Sequence, residues 1–466
     1  MKICFWVPDG TGLRNYLFSK LLDKFDESDE IILLTVLPES IIDEVKKIHT
    51  QKIVYKQVEI YYESIWGKLI KEIITNARLR QYTRKVKNET IMINWKRRNI
   101  SFKAKMLYFM TAFLGFFYSF FYSAILRLEK RYKHNLQKSV YFHKQRKFLQ
   151  ELLPDVIFCT HQRSIDASVL IEAANSLQIP TICAVYSWDN LPKARLLVKS
   201  KYYVVWSEYM KNEMRIYYPE IEQDRIFITG TPQFEFYFNK EFYQTKEDFY
   251  KQWGLNINKK TLCFSGNDLC FPYDDFYLDD VAEEVLKMPE SERPQILLRR
   301  CPVDLTGRFD KIVAKYPELI KVSEPMWISS EKGYAYNLPT FDDVKLLVNV
   351  ALHSDAVINV GSTMAHDFAV MGKPAIYINY DLPFVKDWSA VVNNKYQHFR
   401  SMPTANCVIW LNSKDDIIDC VKRAMQDNPP ELHDQKEWFK KIALHPVTDA
   451  SENIAKTIKK IGKFNE

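Results

Sequence analysis

No two of the eight cysteines stand as a CxxC pair, and histidine and cysteine do not gather at metal-ligand spacing. Most of the thiols sit inside apolar runs, where a cysteine behaves as a small hydrophobe. A disulfide framework and a zinc site are therefore not expected, and a reducing cytoplasm is. The opening MKICFWVPDG breaks at Pro8-Asp9-Gly10 and has no small-residue cleavage site, so no secretory signal is expected. There is no P-loop, no nucleophile elbow and no Ser/His/Asp hydrolase order. Finger, homeodomain and RNP patterns are missing too, which argues against nucleic acid as a partner. One absence is local: MLYFMTAFLGFFYSFFYSAIL, residues 106–126, carries no charge at all.

What is present is a chain of 466 residues, 47% hydrophobic and 26% charged, enough for two or three globular domains. The net charge of +7 is uneven. Residues 68–147 are strongly basic around the apolar stretch, which points to an anionic surface such as phospholipid headgroups. Short apolar runs alternate with helical patterns: KICFWVP, EIILLTVL, KIVYKQVEI, PDVIFCTH, IPTICAVYS, YYVVWS and DRIFITGTP read as strands. The stretch LRNYLFSKLLDKF reads as the first helix, and KQWGLNINKK as a polar linker. The alternation then restarts with TLCFSGN, QILLRRCP, LIKVSEP, DAVINVG and KPAIYINY. This predicts an α/β protein with two doubly wound, Rossmann-like halves. The expected boundaries are a first domain at 1–238 with a helical insertion at about 68–150, a linker at 239–258, a second domain at 259–444, and a final helix at 445–466 packing back on the first.

DAVINVGSTMAHDFAVMGKPAIYI is the most informative stretch. It reads as strand, tight turn, helix, strand, with Gly361, Ser362 and Thr363 at the helix start. Free N–H groups and the positive end of the helix dipole favour a phosphate there. Simple capping by Ser362 and Thr363 is the plainer alternative. The stretch resembles the nucleotide-binding segment of GT-B glycosyltransferases and of UDP-N-acetylglucosamine 2-epimerases. In those families the turn binds diphosphate and a following carboxylate binds ribose, which implies that role for Asp367; it is Asp where they mostly have Glu. ILLRRCPVD resembles the RxHP strand end of surface-polysaccharide transferases, with Arg299 in the basic position near the phosphates and Cys301 where they have His. Ser265, Gly266 and Asn267 fall where such folds begin the donor domain. SWDNLPKARLLVKSKYYVVWSEYMKNEM is similar to bacterial GT-B proteins. The resemblance implies two domains facing an interdomain cleft, a nucleotide-sugar donor and no cofactor or metal.

In the first half, VPDGTGLRNY has Tyr16 where a dinucleotide fingerprint would place its third glycine, so no such site is expected. Within a GT-B fold this loop faces the cleft, making Gly10, Arg14 and Asn15 candidates for acceptor contact. CTHQRS and YSWDN follow apolar strands, and carboxyl ends of parallel strands are where open α/β sheets bind ligands. Arg163, Trp188 and Asn190 join the acceptor-side candidates. Asp9, His161 and Asp189 are the candidates for a general base that deprotonates an acceptor hydroxyl.

As one helix, residues 106–126 would span about 30 Å, enough to cross a bilayer. Yet the strands on either side belong to one sheet, and one crossing would separate them. Nine aromatics suit an interface better than a hydrocarbon core. The expectation is a monotopic helix or helical pair on the inner leaflet, presenting Phe113, Phe116, Phe117, Phe120 and Phe121; a helix in the protein core is the alternative. Together these readings imply a metal-independent glycosyltransferase at the cytoplasmic membrane face, with a UDP-linked donor and a lipid-linked or surface-polysaccharide acceptor. A CDP-glycerol-type polyol-phosphate transferase, a UDP-sugar 2-epimerase and a catalytically dead membrane scaffold are the alternatives. Oligomeric state is not legible.

Overall fold

The computed structural model describes residues 1–95, 101–328 and 338–463. The basic flank Lys96, Arg97 and Arg98 and the last three residues of the chain lie outside them. The chain divides into two compact units. The first comprises Met1–Gln233, Tyr396–His398 and the chain from Ile442 onward; the second comprises Phe234–Lys395 and Phe399–Lys441.

The N-terminal unit is built on seven strands: β1 (Lys2–Val7), β2 (Glu30–Thr35), β3 (Ile53–Gln57), β4 (Val156–Cys159), β5 (Thr181–Ala184), β6 (Tyr202–Val205) and β7 (Ile226–Ile228). They pair in the order β3-β2-β1-β4-β5-β6-β7, all parallel. β1 from Ile3 onward and β4 throughout are buried, as strands covered on both faces must be, which is why they read as unbroken apolar runs. The helix expected over 13–25 is broken. A π-turn covers Leu13–Leu17 and a 3-10 turn Leu22–Lys24. Between them the Ser19 hydroxyl donates to the Tyr16 carbonyl at 2.6 Å and accepts from Leu21 N–H at 3.2 Å, diverting groups a continuous helix would use. The Ala450–Lys463 helix also belongs to this unit and buries Ile454, Ile458 and Ile461 along one stripe.

The C-terminal unit has the strands β8 (Thr261–Ser265), β9 (Gln295–Arg299), β10 (Ile320–Ser323), β11 (Trp327–Ile328), β12 (Leu338–Pro339), β13 (Ala356–Asn359), β14 (Ala375–Ile378) and β15 (Ile409–Leu411). Six form a parallel sheet, β10-β9-β8-β13-β14-β15, and β11-β12 pair separately. β15 and the helix Ile417–Ala424 extend beyond the elements anticipated from sequence. The stretch 239–258 is not a bare linker. Thr245 caps a helix, Lys246–Trp253, whose Phe249 and Tyr250 are buried.

Between β3 and β4 the described residues form the α-helices Ile65–Val86, Phe102–Tyr118, Tyr122–Gln137 and Val140–Leu152, with a 3-10 helix at Glu89–Trp95. The apolar stretch is thus a pair of helices, not one. At the break, Arg84 donates to the Ser119 carbonyl and the Ser119 hydroxyl donates to Phe116 O. Gly115 lets the Phe102–Tyr118 helix approach its neighbour closely; a Cβ there would lie 2.6 Å from Asn76 Oδ1. Thr111 and Ser119 are buried. The opposite face is bare: Phe109, Phe113 and Phe117 follow one another at four-residue spacing and are 73%, 57% and 53% exposed. Phe102, Met106, Met110, Phe120 and Phe121 are exposed as well, so this is not a core helix. Arg80 and Arg84 lie over the Phe116 and Phe120 rings at 5.3 and 5.1 Å. Among the described residues no helix is long and apolar enough to cross a membrane.

Two buried groups anchor this region in opposite ways. Arg78 is fully buried and bridges Glu129 and Glu220, each at 2.7 Å, while donating to Tyr217 O. Arg78→Met leaves two carboxylates facing a neutral side chain, with only Lys199 beside them. It is expected to lower stability in urea unfolding by about 2–4 kcal/mol. Glu213 is buried and forms no ion pair among the described residues, and burial pushes its pKa up to about 8. The folded state then keeps a proton that the unfolded chain has released, so the stability Glu213 contributes below its unfolded pKa is lost as pH rises towards 8. Glu213→Gln should flatten the fall in melting temperature between about pH 5 and pH 8; an unchanged slope would mean that Glu213 is ionised in the fold.

Candidate functional site

In each sheet the strand order reverses direction once, between β1 and β4 in the N-terminal unit and between β8 and β13 in the C-terminal unit. Such switch points leave a crevice outside the carboxyl ends of the two central strands. The candidate residues are sorted by these two places.

Asp9 follows β1 and His161 follows β4. The two strands pair in register from Ile3↔Val156 to Trp6↔Cys159, so their ends lie side by side. Asp9 Oδ1 caps the next turn by accepting from Gly12 N–H at 2.9 Å. Its other oxygen binds His161 Nδ1. Gly12 is required by close approach, since a Cβ there would lie 2.2 Å from Thr160 Oγ1. Lost hydration raises the Asp9 pKa, but His161 and the Gly12 and Thr11 N–H groups outweigh it and hold the carboxyl below its usual range. The Tyr186 ring stands edge-on to the imidazole at 4.2 Å. His161 Nε2 is buried and has no hydrogen-bond partner among the described residues. The pair is thus an imidazole oriented by a carboxylate through one nitrogen and open at the other.

Asp189 is differently placed. It accepts from Ser187 Oγ at 2.6 Å and pairs with Lys193. Burial opposes its charge, yet Lys193 and His398 hold its pKa well below the carboxylate range. A carboxylate so satisfied is a poor proton acceptor. Trp188 is buried, edge-on to His398 at 4.8 Å. Arg163 donates to Asn190 Oδ1 at 3.1 Å and Arg14 to Asn15 Oδ1 at 3.1 Å; Asn190, Asn15 and Gly10 are buried. A cavity of about 60 Å³ in this unit lies among Ile74, Tyr132, Leu136 and Leu197, with Lys133 and Lys199 also on its wall. Leu197 N–H bonds the Gln162 carbonyl, the residue after His161.

In the C-terminal unit, Gly361 follows β13 with φ +64°, where a Cβ would also meet Asn393 Nδ2 at 2.7 Å. Asn359 Oδ1 accepts from Ser362 N–H at 2.7 Å and Tyr377 donates to the Ser362 carbonyl at 2.7 Å, fixing the turn. Thr363 is exposed and makes no side-chain cap, and the helix that follows is short, Met364–Val370. Across the switch point stand Ser265, Gly266 and Asn267, at the end of β8. Gly266 N–H bonds Arg299 O at 3.0 Å. The Arg299 side chain is buried and donates through Nη2 to Asp343 at 2.7 Å; Nη1 has no partner among the described residues. Asp367 accepts from Tyr237 at 2.9 Å. Asp274, not singled out by sequence, starts the Asp274–Leu286 helix and accepts from Asn267 N–H at 2.6 Å. Its signal was the acidic DDF after FSGND. Among the described residues no cluster of His, Cys, Asp and Glu could hold a metal ion.

Residues 67–232 match the family model of monogalactosyldiacylglycerol (MGDG) synthase. No curated protein matches the chain by sequence. Among solved structures, the chain is similar to the UDP-GlcNAc 2-epimerase of Methanocaldococcus jannaschii, at 12% identity and a TM-score of 0.54 over 99% of this chain and 100% of that one. It is similar to S. aureus MnaA in a co-structure with UDP, at 12% identity and 0.55 over 100% and 97%. A glycosyltransferase from Rickettsia africae is similar at 12% identity and 0.51 over 98% of each chain. At such identities the likeness is one of fold. Two parallel Rossmann-like sheets over nearly the whole chain, matching these structures end to end, give this protein the GT-B fold.

Proposed function

We propose that this protein is a metal-independent glycosyltransferase that moves a sugar from a UDP-linked donor to a hydroxyl of a lipid-linked acceptor at the inner face of the membrane. The observation that carries the reading is the Asp9–His161 pair with Nε2 open at the N-terminal switch point. His161 Nε2 takes the acceptor proton as the hydroxyl oxygen attacks the anomeric carbon. The bond from that carbon to the diphosphate oxygen breaks, and nucleoside diphosphate leaves. Asp9 fixes the imidazole tautomer and stabilises the imidazolium that forms.

The donor lies at the C-terminal switch point. The Gly361 and Thr363 N–H groups and the open Nη1 of Arg299 meet the diphosphate, and Asp367 meets the ribose. Three things support a lipid acceptor over the epimerase reading: the match of 67–232 to a glycolipid synthase family, the exposed phenylalanine face within those residues, and the basic character of the same segment. An epimerase has no acceptor to collect from a membrane.

His161→Ala should lower sugar transfer by about 10²–10⁴ while UDP affinity, measured by calorimetry, stays within about twofold. Transfer that survives the substitution would place the base elsewhere. On the membrane side, replacing Phe113, Phe117, Phe120 and Phe121 together by Ser should abolish co-sedimentation with vesicles containing anionic lipid. Moderate salt should only weaken wild-type binding, because the apolar contribution is not screened. Unaltered sedimentation of the variant would remove this face from the membrane contact.

A further inference from the structure

Among the buried polar atoms at the C-terminal switch point that find no hydrogen-bond partner among the described residues are Asp274 Oδ1 and Asn267 Nδ2. Asp274 is 1% exposed and Asn267 is 9% exposed. They are held near each other, because the other Asp274 oxygen accepts from Asn267 N–H at 2.6 Å. The Asn267 side-chain amide lies near enough to favour the Asp274 charge, and Asn267 Nδ2 and Asp274 Oδ1 each keep hydrogen-bonding capacity open. Arg308 is committed to other tasks. It donates to Asn267 O at 2.7 Å, to the Phe271 carbonyl and to Asp304, so it braces the 267–271 loop without satisfying either free atom. Buried polar atoms left unpaired are costly, so something must complete them.

The chemistry of the pair narrows what that is. Asn267 Nδ2 only donates, and a carboxyl oxygen accepts. A phosphate, which only accepts, would suit Asn267 and be repelled by an ionised Asp274. A sugar hydroxyl both accepts and donates, and meets both at once. Burial pushes the Asp274 pKa up to about 7, so near neutrality the carboxyl also exists as a donor, still within the reach of a hydroxyl's lone pairs. The position agrees: both residues sit at the carboxyl end of β8, next to β13 and its Gly361 turn.

We propose that Asp274 and Asn267 form a hydroxyl-reading subsite for the transferred sugar, and so determine which hexose the donor carries. This rests on the donor reading above and adds the residues that select among UDP-sugars. The simpler occupant is a buried water, and the experiment separates the two.

Calorimetry would compare wild type, Asp274→Asn and Asn267→Ala with UDP, UDP-glucose, UDP-galactose and UDP-N-acetylglucosamine. The expected result is a loss of about tenfold or more for the best-bound UDP-sugar in both variants, with UDP itself unchanged within about twofold. Unchanged affinity for every ligand would mean that the pair holds only water. Equal losses for UDP and the UDP-sugar in both variants would make the pair a brace of the nucleotide site instead. If Asp274→Asn disturbs the loop and loses UDP too, Asn267→Ala decides, since it keeps the backbone bond to Asp274: a sugar-selective loss supports the subsite and its absence overturns it. A wild type that binds no UDP would sink the donor reading and the subsite together.

Discussion

The pairing of β1 with β4 is the constraint on which the N-terminal unit depends. These strands are neighbours in the sheet, although β2, β3 and the whole helical insertion separate them in sequence. Their register brings Asp9 and His161 to one edge. Neither residue alone distinguishes itself from a polar group at a strand end. Together they form an oriented imidazole with one open nitrogen. The two backbone features around them, the Asp9 cap and the close approach at Gly12, leave the carboxylate little freedom to turn away.

The same pairing limits what the inserted helices can do. The chain leaves the sheet after Gln57 and must return by Val156 to lie beside β1. A segment crossing a bilayer once between those points would part strands that share hydrogen bonds. What the insertion offers instead is a two-sided helix. One face is cut small, with Gly115, Thr111 and Ser119 against the Ile65–Val86 helix, and the other is lined with phenylalanine. Arginines 80 and 84 stand at the edge of the ring row, where a cation suits both the π-face and an anionic surface. On the proposed reading, the fold brings a lipid-facing surface and a proton acceptor into one unit through a single stretch of chain.

Much of this was legible in the sequence, for physical reasons. Parallel strands buried on both faces read as unbroken apolar runs, so β1, β2, β4, β8, β9, β13 and β14 were visible. The Gly361 turn was visible because a positive φ demands glycine. What escaped depends on distant partners. Asp9 and His161 were separate candidates, since they stand 152 positions apart in the chain. Asp189 looked equivalent until Lys193, four residues on, proved to hold it. Arg299 was assigned to phosphate, but half of its guanidinium serves Asp343, a contact no local pattern announces. The helix expected at 13–25 fails at one serine, whose hydroxyl competes with the backbone. Phe249 and Tyr250 were too few to reveal the Lys246–Trp253 helix inside a polar stretch.

The central claim is that the nucleotide sits at the switch point of the C-terminal sheet. Hydrogen exchange with and without UDP tests it most directly, because the groups involved are backbone amides of two short segments. The account predicts slowed exchange in 265–275, after β8, and in 359–367, after β13, with the amides around Asp9 and His161 unaffected by UDP alone. Protection confined to the N-terminal unit, or none at saturating UDP, would contradict it.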